Sequence, residues 1–208
     1  MNNRPPIVNA NAILELQRID PVFAAIEQQY GLPNNWQRPE GFESLCQIIL
    51  EQQVSLNSAK AAYDKVKQRI GAFTPSNMLK LTTQDLRECY VSRQKASYFY
   101  AVANATIDRT LDFEALAVME TEEAKANLKQ VKGIGNWTAE IYLIFCLQAK
   151  DIFAAGDIAL INAIKDLYGV TTKEECIDIA AKWSPYRTLA SFFLWHQYLS
   201  KRGRVVPS

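Results

Sequence analysis

The stretch Lys132-Gly133-Ile134-Gly135-Asn136-Trp137-Thr138-Ala139 lies between two helical runs and reads as a tight hairpin joining them. Two glycines one residue apart let the backbone turn sharply and come close to a bulky ligand. The helix that follows offers its first-turn N–H groups and the positive end of its dipole, a geometry suited to phosphate. Gly-x-Gly by itself is also how any tight helix-to-helix turn can be written. A second feature is Asp157, which follows Asp151-Ile152-Phe153-Ala154-Ala155-Gly156 and opens the helical pattern Ile158, Ile161, Ile164, Leu167. It stands where an N-cap carboxylate bonds the first-turn amides. Such bonds, with the helix dipole, favour the anion, and a fixed anion in a cleft stabilises a positively charged transition state. A third feature is Trp183-Ser184-Pro185-Tyr186-Arg187, followed by Trp195-His196. Aromatics at helical spacing usually belong to a core. His196 is the only histidine, which rules out a Ser-His-Asp triad, a Cys-His pair or a multi-histidine metal site. General acid–base chemistry then falls to a carboxylate, lysine, tyrosine or water.

The elements that must position these residues read as helices throughout. No pair of alternating period-two runs is joined by hairpin turn residues, so the pattern predicts an all-α fold; the many short helices of varied length are expected to form a two-lobed helical bundle with a cleft between the lobes, although pattern alone does not delimit the lobes. Helices are expected over about 10–29, 41–53, 56–70, 82–88, 93–109, 121–130, 136–148, 157–168, 172–183 and 186–200. Gly31 to Asn35, Gly71 to Pro75, Lys132 to Asn136, Gly169 and Ser184-Pro185 mark breaks between them. Ser55 is placed to cap the start of the helix through Ile70, and Gly71 to end it.

The 208 residues are 49% apolar and 22% charged, a globular composition that excludes collagenous and low-complexity classes. Apolar runs are too short for a membrane span, and no secretory signal is visible, so an intracellular protein with no membrane partner is expected. The cysteines at 46, 89, 146 and 176 lack metal-ligand spacing and read as reduced thiols. Cys46 sits in an apolar helical stripe, the setting of a buried structural thiol. Net charge is +1, but residues 58–97 carry eight basic and three acidic side chains. A stripe of that kind can face phosphate or simply be a solvated surface.

Taken together, Phe42-Glu43-Ser44-Leu45 leading to Ile49-Leu50-Glu51-Gln52-Gln53-Val54-Ser55, the hairpin Val131 to Ala139, the run Asp151 to Asp157, and Trp183 to Arg187 ending at Trp195 resemble the helix-hairpin-helix DNA glycosylase superfamily. Within it they resemble the DNA-3-methyladenine glycosylase II family, over roughly residues 42–199. The resemblance implies a single glycosylase domain spanning 1–208, with the helix-hairpin-helix at about 121–148 and no separate N-terminal β domain. It implies a monomer that flips alkylated, 3-methyladenine-type bases out of duplex DNA and hydrolyses their N-glycosidic bond in base excision repair. A glycosylase for another damaged base, or a non-catalytic helix-hairpin-helix module that binds DNA, are the alternatives.

Residue by residue, the resemblance implies that Asp157 is the essential carboxylate and that Gly133, Gly135 and Thr138 give backbone amides to a DNA phosphate. Trp137 and Trp195 match positions lining the base pocket, and Gln53 matches the side chain that enters the duplex where the target base has left. The carbonyls of Lys129, Val131 and Ile134 match a site for a monovalent cation, Na+ or K+, with no other cofactor and no iron–sulfur cluster expected. Strand-cutting relatives carry a Schiff-base lysine where Trp137 stands, so no lyase activity is implied. These roles are physically coherent, since an N-alkylated purine is cationic and indole faces attract it. Such a base also leaves as a neutral molecule, so one carboxylate suffices to stabilise the oxocarbenium-like sugar or orient water. Three positions depart from the family pattern. Glu51 stands where glycine is common, and Cys89-Tyr90 replaces Leu-Gly, which puts in question the turn before Ser92 and any phosphate contact by Lys95.

Overall fold

A computed structural model describes residues 5–203, and these contain thirteen helices and no strand. In chain order they are α1 (Ala10–Ile19), α2 (Val22–Tyr30), α3 (Phe42–Glu51), α4 (Leu56–Ile70), α5 (Pro75–Met78), α6 (Thr83–Glu88), α7 (Arg93–Ile107), α8 (Phe113–Leu116), α9 (Thr121–Leu128), α10 (Asn136–Phe145), α11 (Ile158–Tyr168), α12 (Lys173–Ala181) and α13 (Arg187–Ser200). The all-α expectation holds, and most of the expected helices are present to within a few residues at their ends. The expected helix over 10–29 is instead two, because Asp20 precedes Pro21, is pushed to extended backbone (φ −146°), and breaks the run. The short α5 and α8 have no counterpart in the sequence reading. Each is four residues long, too short to show a 3.6-residue period. No helix among the described residues is long and apolar enough to cross a membrane.

The chain divides into two compact units, one joining the residues up to Gln37 with those from Gln148 onward, the other formed by Arg38–Leu147. In the first unit, α13 packs on α11, α2 and α1. Its core is aromatic: Phe23 meets Trp183 edge-on at 5.2 Å between centroids and Phe193 at 5.6 Å. Asp20, freed by the helix break, accepts hydrogen bonds from Tyr168 Oη (2.6 Å) and Trp183 Nε1 (3.0 Å), so the break supplies a half-buried acceptor for the core Trp183 and the half-buried Tyr168. Burial and then the Asp20 bond push the Tyr168 phenol up, keeping it a donor. His196 is spent structurally, with Nε2 2.9 Å from the Tyr30 carbonyl.

The loop that carries Asp157 is tied to the start of α13. Thr188 Oγ1 donates to the Ala149 carbonyl at 2.6 Å and accepts from Ile152 N at 3.0 Å, while Thr188 N donates to the Lys150 carbonyl at 3.1 Å. Asp151 grips Arg187 through Nε (2.7 Å) and Nη2 (3.0 Å) and accepts from Ser184 Oγ at 2.8 Å. Burial alone would raise the Asp151 carboxyl, but the bonds from Arg187 and Ser184 outweigh it and hold the group below its ordinary value.

In the second unit α3 is central, packing against α4, α7 and α10, with α5 and α6 against α7. Helices α9 and α10 are joined by the Lys125–Glu140 ion pair at 2.8 Å, with Glu140 8% exposed. All four cysteines are free and buried, and burial pushes Cys46 well up, as befits a structural thiol. Three of the eight basic side chains of the stripe are held in ion pairs. Lys60 pairs with Asp64, Lys67 with Glu43, and Arg69 with both Asp85 and Glu88. The turn after α6 forms despite Tyr90 standing where glycine is usual. Tyr90 takes the left-handed conformation (φ 66°), its N–H donates to the Arg87 carbonyl (3.0 Å), and Val91 N donates to that of Leu86 (3.0 Å). That pair of bonds is a Schellman motif, with Leu86 and Val91 both buried beneath it.

Two expected outcomes follow. A Cβ in the left-handed region costs about 1–2 kcal/mol, so Tyr90→Gly is expected to be more stable than Tyr90→Ala by about 1 kcal/mol in chemical denaturation; equal stability would mean the turn is relaxed. Because the folded Asp151 carboxyl lies below its unfolded value, its contribution is complete above the unfolded pKa and is lost as pH falls through the folded one. The wild-type melting midpoint is therefore expected to converge on that of Asp151→Asn below about pH 4. A constant gap between the two proteins down to pH 2 would contradict this.

Candidate functional site

The hairpin begins where α9 ends, with Lys129 as its C-cap. Gly133 is demanded twice over: its φ is +95°, and a Cβ there would fall 2.2 Å from Cγ of Tyr98. Gly135 is different. Its φ of −92° suits any residue, and nothing lies within 4 Å of where its Cβ would stand. The fold does not require glycine there, whereas a ligand approaching the backbone does. As N-cap of α10, Gly135 also brings no side chain to accept from the first-turn N–H groups. Thr138 is 2% exposed, and its hydroxyl accepts from Gln52 Nε2 at 2.8 Å, so its backbone is what it can offer to a phosphate. Trp137, the second residue of α10, is half-buried.

Gln52 is the residue that the sequence reading did not single out. Besides Thr138, its Nε2 donates to the Gly133 carbonyl at 3.0 Å, tying the end of α3 to the hairpin. Lys95 completes the joint, donating from Nζ to the carbonyls of Leu50 (2.7 Å) and Gln52 (2.8 Å). Those are end-of-helix carbonyls that α3 cannot satisfy itself. Burial lowers the Lys95 ammonium, partly offset by Glu51. Lys95 thus braces backbone in this structure. The Gln-Gln pair closing an amphipathic helix was the available signal for Gln52, and Tyr98 under Gly133 gave none.

The turn so braced presents Gln53, exposed and at φ +55°. Glu51, the departure beside it, is half-buried against Arg38 in a two-pronged pair (2.8 and 3.1 Å), and the Arg38 guanidinium lies over the Phe145 ring. The extra anion is therefore neutralised within the unit. In the cation set, Val131 O accepts from Ile134 N at 3.1 Å, which uses one of its two lone pairs.

In the first unit, Asp157 is the N-cap of α11, as expected. Its Oδ1 accepts from Ala159 N (2.9 Å), Leu160 N (3.2 Å) and Trp195 Nε1 (3.3 Å). The structure therefore brings Asp157 and Trp195 together. Trp195 is 8% exposed and packs on Phe192, so it is both a core residue and a hydrogen-bond donor to the carboxylate. Ile158, the next residue, is exposed. Three fixed N–H donors on one carboxylate oxygen make a rigid, pre-oriented anion, the form of group that stabilises developing positive charge without reorganising.

Residues 46–185 match the HhH-GPD superfamily of base excision DNA repair proteins. A DNA-3-methyladenine glycosylase of Bacillus subtilis is 31% identical over 175 residues, which cover 76% of this chain and 57% of that protein. The chain thus spans little more than half the length of that relative. Among solved structures, a DNA-3-methyladenine glycosidase of Bacillus halodurans superposes with a TM-score of 0.78 at 29% identity, covering 94% of this chain and 92% of that one. The 3-methyladenine DNA glycosylase of Schizosaccharomyces pombe, solved with abasic DNA, gives a TM-score of 0.82 at 26% identity, covering 93% and 97%. With two thirds of its length inside the family match, the chain belongs to the HhH-GPD superfamily of base excision DNA repair proteins.

Proposed function

We propose that the chain is a monofunctional DNA glycosylase that removes alkylated, 3-methyladenine-type bases from duplex DNA and leaves an abasic site. The observation that carries this reading is the Asp157 carboxylate, held by two backbone amides and the Trp195 indole at the start of α11. As the C1′–N bond of a cationic alkylpurine breaks, the electron pair leaves with the base and the sugar becomes oxocarbenium-like. Asp157 faces that charge, and water then adds at C1′ and releases a proton to solvent. Trp195 serves chiefly to position Asp157, while the half-buried indole of Trp137 offers a face to the cationic base. An indole forms no imine, so the strand stays intact.

The hairpin docks a phosphate on the backbone of Gly133, Gly135 and Thr138, and Gln53 fills the stack that the base leaves. The carbonyls of Lys129, Val131 and Ile134 would hold Na+ or K+. They are neutral oxygen donors beyond the negative end of α9, and a cation there would add positive charge behind the phosphate site.

Wild type is expected to release methylated purines from treated duplex, with strand breaks only after alkali. Asp157→Asn keeps an N-cap acceptor and is expected to fold but turn over on the order of 10²–10³ times more slowly. Undiminished release by the variant would overturn the assignment of Asp157, and breaks without alkali would overturn the monofunctional reading. Gly135→Ala is expected to melt as wild type does yet bind an abasic-analogue duplex at least about tenfold more weakly, with a shallower salt dependence. Gly133→Ala is expected to lose stability outright, by about 2 kcal/mol or more, from strain and the clash with Tyr98. Full DNA affinity in Gly135→Ala would remove the hairpin from the DNA interface.

A further inference from the structure

The segment that follows α2 in the first unit has no regular structure, yet it holds Trp36 firmly. Gln148 Nε2 donates to the Trp36 carbonyl at 3.0 Å, and Gln148 Oε1 accepts from Asn35 Nδ2 at 3.1 Å. Asn35 Oδ1 in turn accepts from Val8 N at 3.0 Å. Gln148 is 5% exposed and holds left-handed backbone (φ 50°), a conformation that persists only where its surroundings enforce it. A buried amide in strained backbone thus fixes a single half-buried indole. That indole lies along the face of α13 that serves Asp157. Thr188, Phe192 and Trp195 share this face by their helical spacing. Thr188 holds the loop before Asp157, Phe192 meets the Trp36 ring edge-on at 5.3 Å between centroids, and Trp195 donates to Asp157. Phe192 and Trp195 are themselves in contact at 6.2 Å. Trp36 therefore stands two ring contacts from the donor that orients the carboxylate. The indoles differ in what their N–H groups do. Trp183 Nε1 donates to Asp20 and Trp195 Nε1 to Asp157, whereas Trp36 makes its hydrogen bonds among the described residues through its backbone alone. A half-buried tryptophan N–H ordinarily has an acceptor, and here it is left for a ligand.

We infer that Trp36 touches the extruded base: its ring packs against the alkylated purine, and its Nε1–H donates to a ring nitrogen or a carbonyl oxygen on the edge of that base. The inference rests on the glycosylase reading, which brings the damaged nucleotide to Asp157. An alkylated purine is cationic and planar, so an indole face attracts it. It also keeps acceptor lone pairs at its edge, on the ring nitrogens that carry neither the alkyl group nor the sugar, and a neutral N–H donor can bond these without repelling the charge. As the C1′–N bond breaks, its electron pair flows into the ring, the edge acceptors become stronger, and the bond from Trp36 tightens. A contact that strengthens in this way speeds release as well as holding the base.

Trp36→Phe keeps an aromatic ring against Phe192 and removes the donor, while Trp36→Leu removes ring and donor together. The test uses the full chain and measures single-turnover release of 3-methyladenine from methylated duplex, inhibition of that release by free 3-methyladenine, and affinity for a duplex carrying a tetrahydrofuran abasic analogue, with thermal melting alongside. Trp36→Phe is expected to release the base about threefold to tenfold more slowly and Trp36→Leu at least about tenfold more slowly. Free 3-methyladenine is expected to inhibit both variants more weakly than wild type, while Trp36→Phe melts and binds the abasic duplex as wild type does. Unchanged release and inhibition in both variants would overturn the inference and leave the glycosylase reading standing. A loss of the same size on the abasic duplex would also overturn it, because that duplex offers no base for Trp36 to touch. A wild type that releases no methylated purine would overturn the glycosylase reading, and the inference with it.

Discussion

Side-chain donors on backbone carbonyls hold the second unit's functional surface in place. Lys95 closes the end of α3 by donating to Leu50 and Gln52, and Gln52 in turn donates to Gly133 and Thr138. The carbonyls at a helix C-terminus must find partners or lose free energy. Here the partner is Lys95 of α7, while the Gln52 side chain donates outward to the Gly133 carbonyl and the Thr138 hydroxyl and fixes the hairpin against the end of α3. The exposed Gln53 is therefore set rigidly relative to Gly135. A protein that grips a phosphate at one point and inserts a side chain at another needs that spacing fixed before DNA arrives, because ordering it on binding would subtract from affinity.

The first unit meets the same need with different bonds. Asp157 is rigid because α11 starts on it and because Trp195, anchored in the aromatic core, reaches it from α13. The Asp151–Arg187 and Thr188 contacts fasten the preceding loop to α13, the helix that carries Trp195. Carboxylate and indole donor are thus held by one piece of structure, which on the proposed function would leave little reorganisation for the reaction step.

Much of this was legible in the sequence because helix-forming signals are local. Gly-Ile-Gly marked the hairpin, Asp157 before Ile158, Ile161 and Ile164 marked an N-cap, and Ser55 and Gly71 bounded α4. What was not legible depends on contacts between residues far apart in the chain. The Gln52–Thr138 and Lys95–Leu50 bonds span 86 and 45 residues, and no spacing rule reports them. Charge counting was incomplete for the same reason, since Glu43, Asp85 and Glu88 pair with Lys67 and Arg69 of the basic stripe from neighbouring helices. Glu51 and Tyr90, which looked like defects in the pattern, were accommodated by Arg38 and by a complete Schellman turn.

On the proposed function the hairpin and the Gln53 turn act on DNA as one pre-set surface, and Gln52→Leu would uncouple them. Binding to an abasic-analogue duplex would be measured across a salt series beside thermal melting. The variant is expected to melt within a few degrees of wild type, to bind about tenfold more weakly, and to show a shallower slope of log affinity against log salt, because the hairpin no longer meets its phosphate in register. Wild-type affinity and slope in Gln52→Leu would show that the two elements reach DNA independently, and would contradict it.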